Sequence, residues 1–244
     1  MSQPIYLDYN ASAPLRIEAI ECMQRLMGPP RNPSSVHYFG RNSKLIMETA
    51  RNQIADLTAG NASGFIFTSG GTEANNTALL EFDKVITCIT EHDAILAARP
   101  DAKKVGVKED GEINLDELET QIQRDKSEGG EVIVSVMLVN NETGRIQPIE
   151  KLLEMCQYHK VAFHSDMVQA LGKIPVKLDE WSRSGLTMAS FSAHKIGGPP
   201  GVGALWVASG SKVSKLLKGG GQEKGRRSGT ETVSYTHLTL PTIE

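Results

Sequence analysis

The 244-residue sequence has no run of about 18 apolar residues, so no membrane-spanning helix is expected. Cysteine is scarce: only Cys22, Cys88 and Cys156 are present, too few and too scattered for a disulfide framework. None has metal-ligand spacing or sits in a glycine- or serine-rich loop that would present a nucleophile, so all three read as buried free thiols and no metal site is expected. Charge of one sign is also lacking. With 26 Lys and Arg against 29 Asp and Glu, the net charge of −3 argues against electrostatic binding to nucleic acid or to an anionic membrane surface. The opening residues, Met1-Ser-Gln-Pro-Ile-Tyr-Leu-Asp8, show no basic segment followed by an apolar one, so no secretory leader is expected and a cytoplasmic setting is. Internal repeats and low-complexity segments are absent too. What remains is an ordinary globular composition, 39% hydrophobic and 23% charged, long enough for one large domain or one and a part.

Short apolar runs alternate with helical patterns along the chain. The runs predict strands over 64–68, 84–90, 103–107, 132–139, 161–165, 186–190 and 203–207. Helices are expected over 14–27, 38–59, 73–81, 115–126 and 149–159. Such alternation predicts an α/β fold, a three-layer α/β/α domain around a mostly parallel sheet. In these sheets ligands bind beyond the carboxyl ends of the strands. The final stretch, 233–244, is uncharged until Glu244 and reads as a non-native tail.

The chemistry-bearing residues cluster after strands. Ser192-Ala-His-Lys195 follows one and opens into Ile-Gly-Gly-Pro-Pro. A lysine among small residues can shed its proton through desolvation and attack an aldehyde, the reaction by which pyridoxal phosphate (PLP) is held. Thr68-Ser-Gly-Gly-Thr72-Glu follows another strand and opens a helix, so Gly71 and Thr72 can offer backbone and hydroxyl donors to a phosphate. Asp166 closes a third strand, where it can pair with a pyridinium nitrogen, and Gln169 is placed to reach the ring's phenolic oxygen. His92, after Glu91 at the end of a fourth strand, can stack on a flat ring and relay protons. Asn141, in Asn140-Asn-Glu-Thr-Gly144, is a second candidate for the phenolic oxygen. Taken singly, each has a plainer use as a helix cap, a turn former or a surface charge.

Their order is more telling than any one of them. Phosphate cup, stacking histidine, Asn, Asp with Gln, then Ser-x-His-Lys resembles the fold-type I PLP enzymes of the class V aminotransferase group. The sequence is similar to the NifS-like cysteine desulfurases over nearly its whole length. The resemblance runs from Ile5-Tyr-Leu-Asp-Tyr-Asn-Ala-Ser-Ala-Pro14, through Asn32-Pro-Ser-Ser-Val-His37, to Gly219-Gly-Gly-Gln-Glu-Lys-Gly-Arg-Arg-Ser-Gly-Thr230. It implies that Lys195 forms the Schiff base with PLP and that Ser192 and His194 help Gly71 and Thr72 hold the phosphate. It further implies that His92 stacks on the ring and moves protons, that Asp166 pairs with the ring nitrogen, and that Asn141 and Gln169 meet the phenolic oxygen. Thr230 would reach across a homodimer to the partner's phosphate. The implied substrate is L-cysteine, and the sulfur would pass through an enzyme persulfide to an acceptor or iron–sulfur scaffold protein. The implied domains are an N-terminal segment, 1–15, on the small-domain side and a PLP-binding large domain over 16–232. In this family the catalytic cysteine and the arginine for the substrate carboxylate lie well after the Arg-Arg-Ser-Gly-Thr element. The sequence stops at Glu244 before either, so the resemblance implies an incomplete copy with most of the C-terminal small domain missing and desulfuration impaired. Another class V enzyme, an aminotransferase or a selenocysteine lyase, and a non-catalytic scaffold in sulfur transfer are the alternatives.

Overall fold

In a computed structural model that describes residues 4–236, the strand signals assemble into a single seven-stranded sheet. The strands are β1 (Phe65–Thr68), β2 (Lys84–Cys88), β3 (Lys103–Val105), β4 (Val132–Ser135), β5 (Ala162–Asp166), β6 (Leu186–Ser192) and β7 (Gly203–Val207). They lie in the order β1-β7-β6-β5-β4-β2-β3. β7 runs against both β1 and β6, and the remaining pairings are parallel. The mostly parallel sheet expected from the sequence is therefore present. A consequence fixes the site: β1, β2, β4, β5 and β6 all deliver their carboxyl ends to the same edge.

The helices are α1 (Ile17–Leu26), α2 (Tyr38–Leu57), α3 (Gly71–Leu79), α4 (Asp93–Leu96), α5 (Leu115–Ser127), α6 (Ile149–His159), α7 (Leu178–Arg183) and α8 (Val233–Thr236). Because side chains alternate along a strand, strands such as β1, β4 and β7 feed two cores. Val132 and Val134 of β4 pack with Ile54 of α2, Ile122 of α5 and Leu152 of α6 on one face. Ile133, between them, packs on the other face with Ala74, Ala78 and Leu79 of α3. Covered on both sides, β1, β4 and β7 are almost continuously apolar. α3 also lies close to the sheet. A Cβ on Gly203, at the start of β7, would fall 2.5–2.6 Å from the Gly70 backbone, so only glycine lets the turn into α3 sit there.

β1 is an edge strand, and its free backbone groups are capped by side chains rather than by a further strand. The Phe65 carbonyl accepts from Arg51 Nη1 at 2.6 Å and from Arg226 Nη2 at 2.9 Å. Glu223 takes the Phe67 N–H at 3.1 Å and both terminal nitrogens of Arg51 at 3.0 Å. This buried ion pair pins the loop carrying residues 219–230 against α2 and β1.

Several local features differ from expectation. α4 and α7 were not anticipated, because four and six residues are too few to show a helical period. β2 stops at Cys88: the Glu91 N–H bonds back to the Cys88 carbonyl, and the turn makes His92 the cap of α4 instead of a strand-end residue. β4 stops at Ser135, although residues 136–138 continue to bond β5 through Val136 N–H to His164 O and Leu138 N–H to Asp166 O. The segment expected as a tail starts inside the packing. Val233 is buried in the core of α2 and the sheet's outer face, and residues 237–244 of that stretch lie outside the described residues. Among the described residues no helix is long and apolar enough to cross a membrane.

Candidate active site

The five parallel strand ends open onto a cavity of about 620 Å³. Lys195, His92, Gly71, Thr72, Asn141, Asp166, Gln169, Ser192 and His194 all line it. Thr230 does not; it is exposed and lies outside the cavity.

Lys195 stands at the end of a single 3-10 turn, Ala193–Lys195, directly after β6. Its Nζ donates to the carbonyls of Asn10 at 2.5 Å and Ala11 at 3.0 Å. The N-terminal segment holding those carbonyls is itself tied to the lysine loop by Ala13 N–H to His194 O and Arg16 N–H to Gly197 O. Burial lowers the Lys195 pKa, against an upward pull from Asp166, Asp8 and Glu142. A larger share of the amine is thus unprotonated than in a solvated lysine. His194 is lowered for the same first reason, burial, with the Lys195 charge adding to it.

Asp166 ends β5 and is buried. It accepts from Asn75 Nδ2 at 2.6 Å and from the Val168 N–H at 2.9 Å. Burial raises its pKa, while those two donors and the charges of His92 and Lys195 hold it down. Beside it, Asn75 Oδ1 is buried without a partner. Gln169 lies in the turn after Asp166; its amide donates to Asn10 O at 3.0 Å and its oxygen accepts from Lys173 Nζ. His92 Nδ1 accepts from the Ala94 N–H at 3.0 Å as the cap of α4. That bond leaves the neutral ring's proton on Nε2, the nitrogen free to exchange with a bound molecule. Asn140, whose oxygen takes the N–H groups of Glu142 and Thr143, builds the turn that presents Asn141.

At the other side of the cavity, Gly71 and Thr72 begin α3, where backbone N–H groups and the helix dipole favour an anion. A Cβ on Gly71 would meet Val168 Cγ2 at 2.9 Å, so this first helical residue must be small for α3 to start against the Asp166 turn.

Residues 5–237 match the aminotransferase class-V family. The chain belongs to the class-V aminotransferases. Cysteine desulfurase IscS of Dictyoglomus turgidum is 38% identical to it over 250 residues, covering 96% of this chain and 61% of the relative. The mitochondrial cysteine desulfurase of Eremothecium gossypii is 42% identical over 250 residues, covering 94% and 49% respectively. The chain thus spans about half to three fifths of the length of these curated relatives. Among solved structures, a NifS-like protein from Rickettsia africae superposes with a TM-score of 0.90 at 33% identity, covering 97% of this chain and 67% of that one. SspA, solved in complex with cysteine, superposes with a TM-score of 0.87 at 30% identity, covering 97% and 71%. The fold is that of the NifS-like fold-type I PLP enzymes.

Class-V members use PLP, and the donor set fits it. The cavity combines an amine of lowered pKa, a buried carboxylate and a helix N-terminus, which complement an aldehyde, a ring nitrogen and a phosphate. The unpartnered Asn75 Oδ1 beside Asp166 marks the place where a further donor is wanted.

Sequence reasoning missed several residues here. Asp8, Asn10 and Ala11 line the cavity, yet they lie some 185 positions from Lys195 and carried only the resemblance. Asn75 was missed although a signal was present: it sits three residues after Thr72, on the same side of α3. Glu91 is buried behind His92, with Oε1 accepting from Met137 N–H at 2.6 Å and Oε2 unpartnered. Burial, with the Asp166 charge adding to it, pushes its carboxyl well up.

Proposed function

We propose that this chain forms the PLP site of a cysteine desulfurase, acting in the cytoplasm as a homodimer. The overall change converts L-cysteine and a cysteine thiol to L-alanine and a persulfide, which an acceptor or iron–sulfur scaffold protein then relieves of its sulfur. The observation that carries this reading is the convergence of Lys195 Nζ, the Asp166 carboxylate and the α3 N-terminus on one cavity in a chain of this family. Bound PLP supplies an electron-poor ring that stabilises negative charge at the substrate's α carbon. Lys195 would hold the cofactor through its aldehyde carbon, and Gly71, Thr72, Ser192 and His194 would hold its phosphate. Asp166 would keep a proton on the ring nitrogen, Asn141 and Gln169 would serve the phenolic oxygen, and His92 would move protons through Nε2. For the homodimer, exposed Val36, Tyr38, Phe39 and Leu45 supply apolar surface around the start of α2. Thr230, exposed and outside its own cavity, suits a contact with the partner's phosphate.

Borohydride reduction of the PLP-loaded chain, followed by peptide mapping, should place the pyridoxyl group on Lys195. Lys173 is the informative competitor, since burial and the Lys195 charge lower its pKa too. A pyridoxyl group on Lys173, or on any lysine of a Lys195→Ala variant at wild-type yield, overturns the assignment.

Asp166→Asn should weaken PLP binding about 10- to 100-fold, the equivalent of losing a charge-assisted hydrogen bond of about 1.5–3 kcal/mol. The absorption of bound PLP should change with it. Unchanged affinity and an unchanged spectrum would leave Asp166 as no more than a cap for the Val168 N–H.

A further inference from the structure

The helix end assigned to phosphate already carries a carboxylate. Glu73 is the third residue of α3, and its Oε2 takes the Ser69 N–H at 2.7 Å, one residue before the turn at Gly70. An anion in this first turn competes with a phosphate for the same dipole. Its charge is answered from far along the chain. Arg227 Nε lies 2.9 Å from Glu73 Oε1 and Nη2 lies 3.2 Å from Oε2, a two-pronged contact with side-chain exposures of 19% and 8%. Such paired N–H···O bonds fix geometry as well as charge. The loop that supplies Arg227 is itself fastened, by Glu223 to Arg51 and by Ser228 Oγ to Gly220 O at 2.8 Å. Thr230 follows Arg227 by three residues.

We propose that Arg227 is a positioning residue for the phosphate subsite: by neutralising Glu73 it makes the start of α3 fit for a doubly charged phosphate, and it ties that fitness to the docking of residues 219–230. The proposal rests on the PLP reading above. It differs from a plain structural tie in one respect, because only ligands bearing the phosphate depend on it.

The test compares PLP with pyridoxal, which has the aldehyde and ring but no phosphate, each titrated onto the chain and trapped with borohydride. In Arg227→Met, PLP affinity should fall at least about tenfold while pyridoxal affinity stays within about twofold. In Glu73→Gln, PLP should bind as tightly as in wild type or more tightly, and adding it to Arg227→Met should restore most of the loss. Equal losses for PLP and pyridoxal in Arg227→Met, or no loss for either, overturn the proposal. If Arg227→Met does not fold, Glu73→Gln decides alone: PLP binding weakened tenfold with pyridoxal unchanged sinks it. Failure of the PLP reading itself has a different signature, wild-type chain in which neither compound labels Lys195.

Discussion

Loaded with PLP and supplied with L-cysteine and dithiothreitol, the 244-residue chain is expected to release sulfide and alanine several orders of magnitude more slowly than a full-length relative. The reason is the placing of its thiols. The sulfur must be taken by a thiolate held against the substrate, and none of the three cysteines lines the cavity. Cys22 is packed in α1 against Ala19, Met23 and Leu26. Cys156, in α6, is buried and its thiol is pushed up to about 12. Cys88 is the nearest in sequence to the site, four residues before His92. Its side chain, however, joins the core of the opposite sheet face with Ile86, its Sγ lies 3.2 Å from Thr90 Oγ1, and burial raises its pKa. Thiols in solution then have to replace a positioned one, forfeiting an effective concentration that reaches on the order of 10⁵ M in well-oriented intramolecular reactions. The assay is sulfide and alanine release by purified chain, with Lys195→Ala as the blank. Turnover equal to a full-length relative, lost in Cys88→Ser, would show that Cys88 can swing to the site and that its buried pose is not the working one.

The same contrast separates what the sequence reveals from what it hides. Strands such as Phe65–Thr68 and Gly203–Val207 are legible because burial on both faces leaves a short apolar run between turn residues. Lys195, Asp166, Asn141, His92 and Gly71 are legible because parallel strands bring their ends together, so residues read separately after five strands are bound to meet. Side-chain pairs between distant segments leave no such trace. Nothing in the sequence pairs Arg51 with Glu223, 172 residues apart, or Glu73 with Arg227, 154 apart, until the loop over residues 219–230 is seen across β1 and α3. The interior of β5 hides more: Ala162-Phe-His-Ser-Asp166 reads as a strand with a useful end, and nothing in it announces that its central histidine is buried.

That histidine should make the fold acid-labile. His164 is fully buried, with Nδ1 2.9 Å from Ser135 Oγ and Nε2 2.9 Å from Ser190 Oγ. The two hydroxyls satisfy a neutral ring, one nitrogen donating and the other accepting, but offer no counter-charge to a protonated one. Burial pushes its pKa down to about 3, from 6.5 in a solvated ring. Below pH 6.5 the unfolded chain therefore binds a proton that the native chain refuses, and stability falls as pH drops from about 6.5 toward 3. The whole penalty is roughly 5 kcal/mol, of which about 2 kcal/mol is due by pH 5. Against a typical total of about 5–15 kcal/mol, that suffices to unfold a marginal domain. Glu91 acts in the opposite sense. Its raised pKa means that the native chain keeps a proton which the unfolded chain loses above about pH 4.5, so its contribution declines as pH rises. Urea unfolding of wild type and His164→Gln at pH 7 and pH 5 separates the two. The variant should be less stable at pH 7, having lost its fit between Ser135 and Ser190, yet lose about 2 kcal/mol less than wild type on moving to pH 5. Parallel losses in the two proteins would mean that His164 takes up its proton in the folded state.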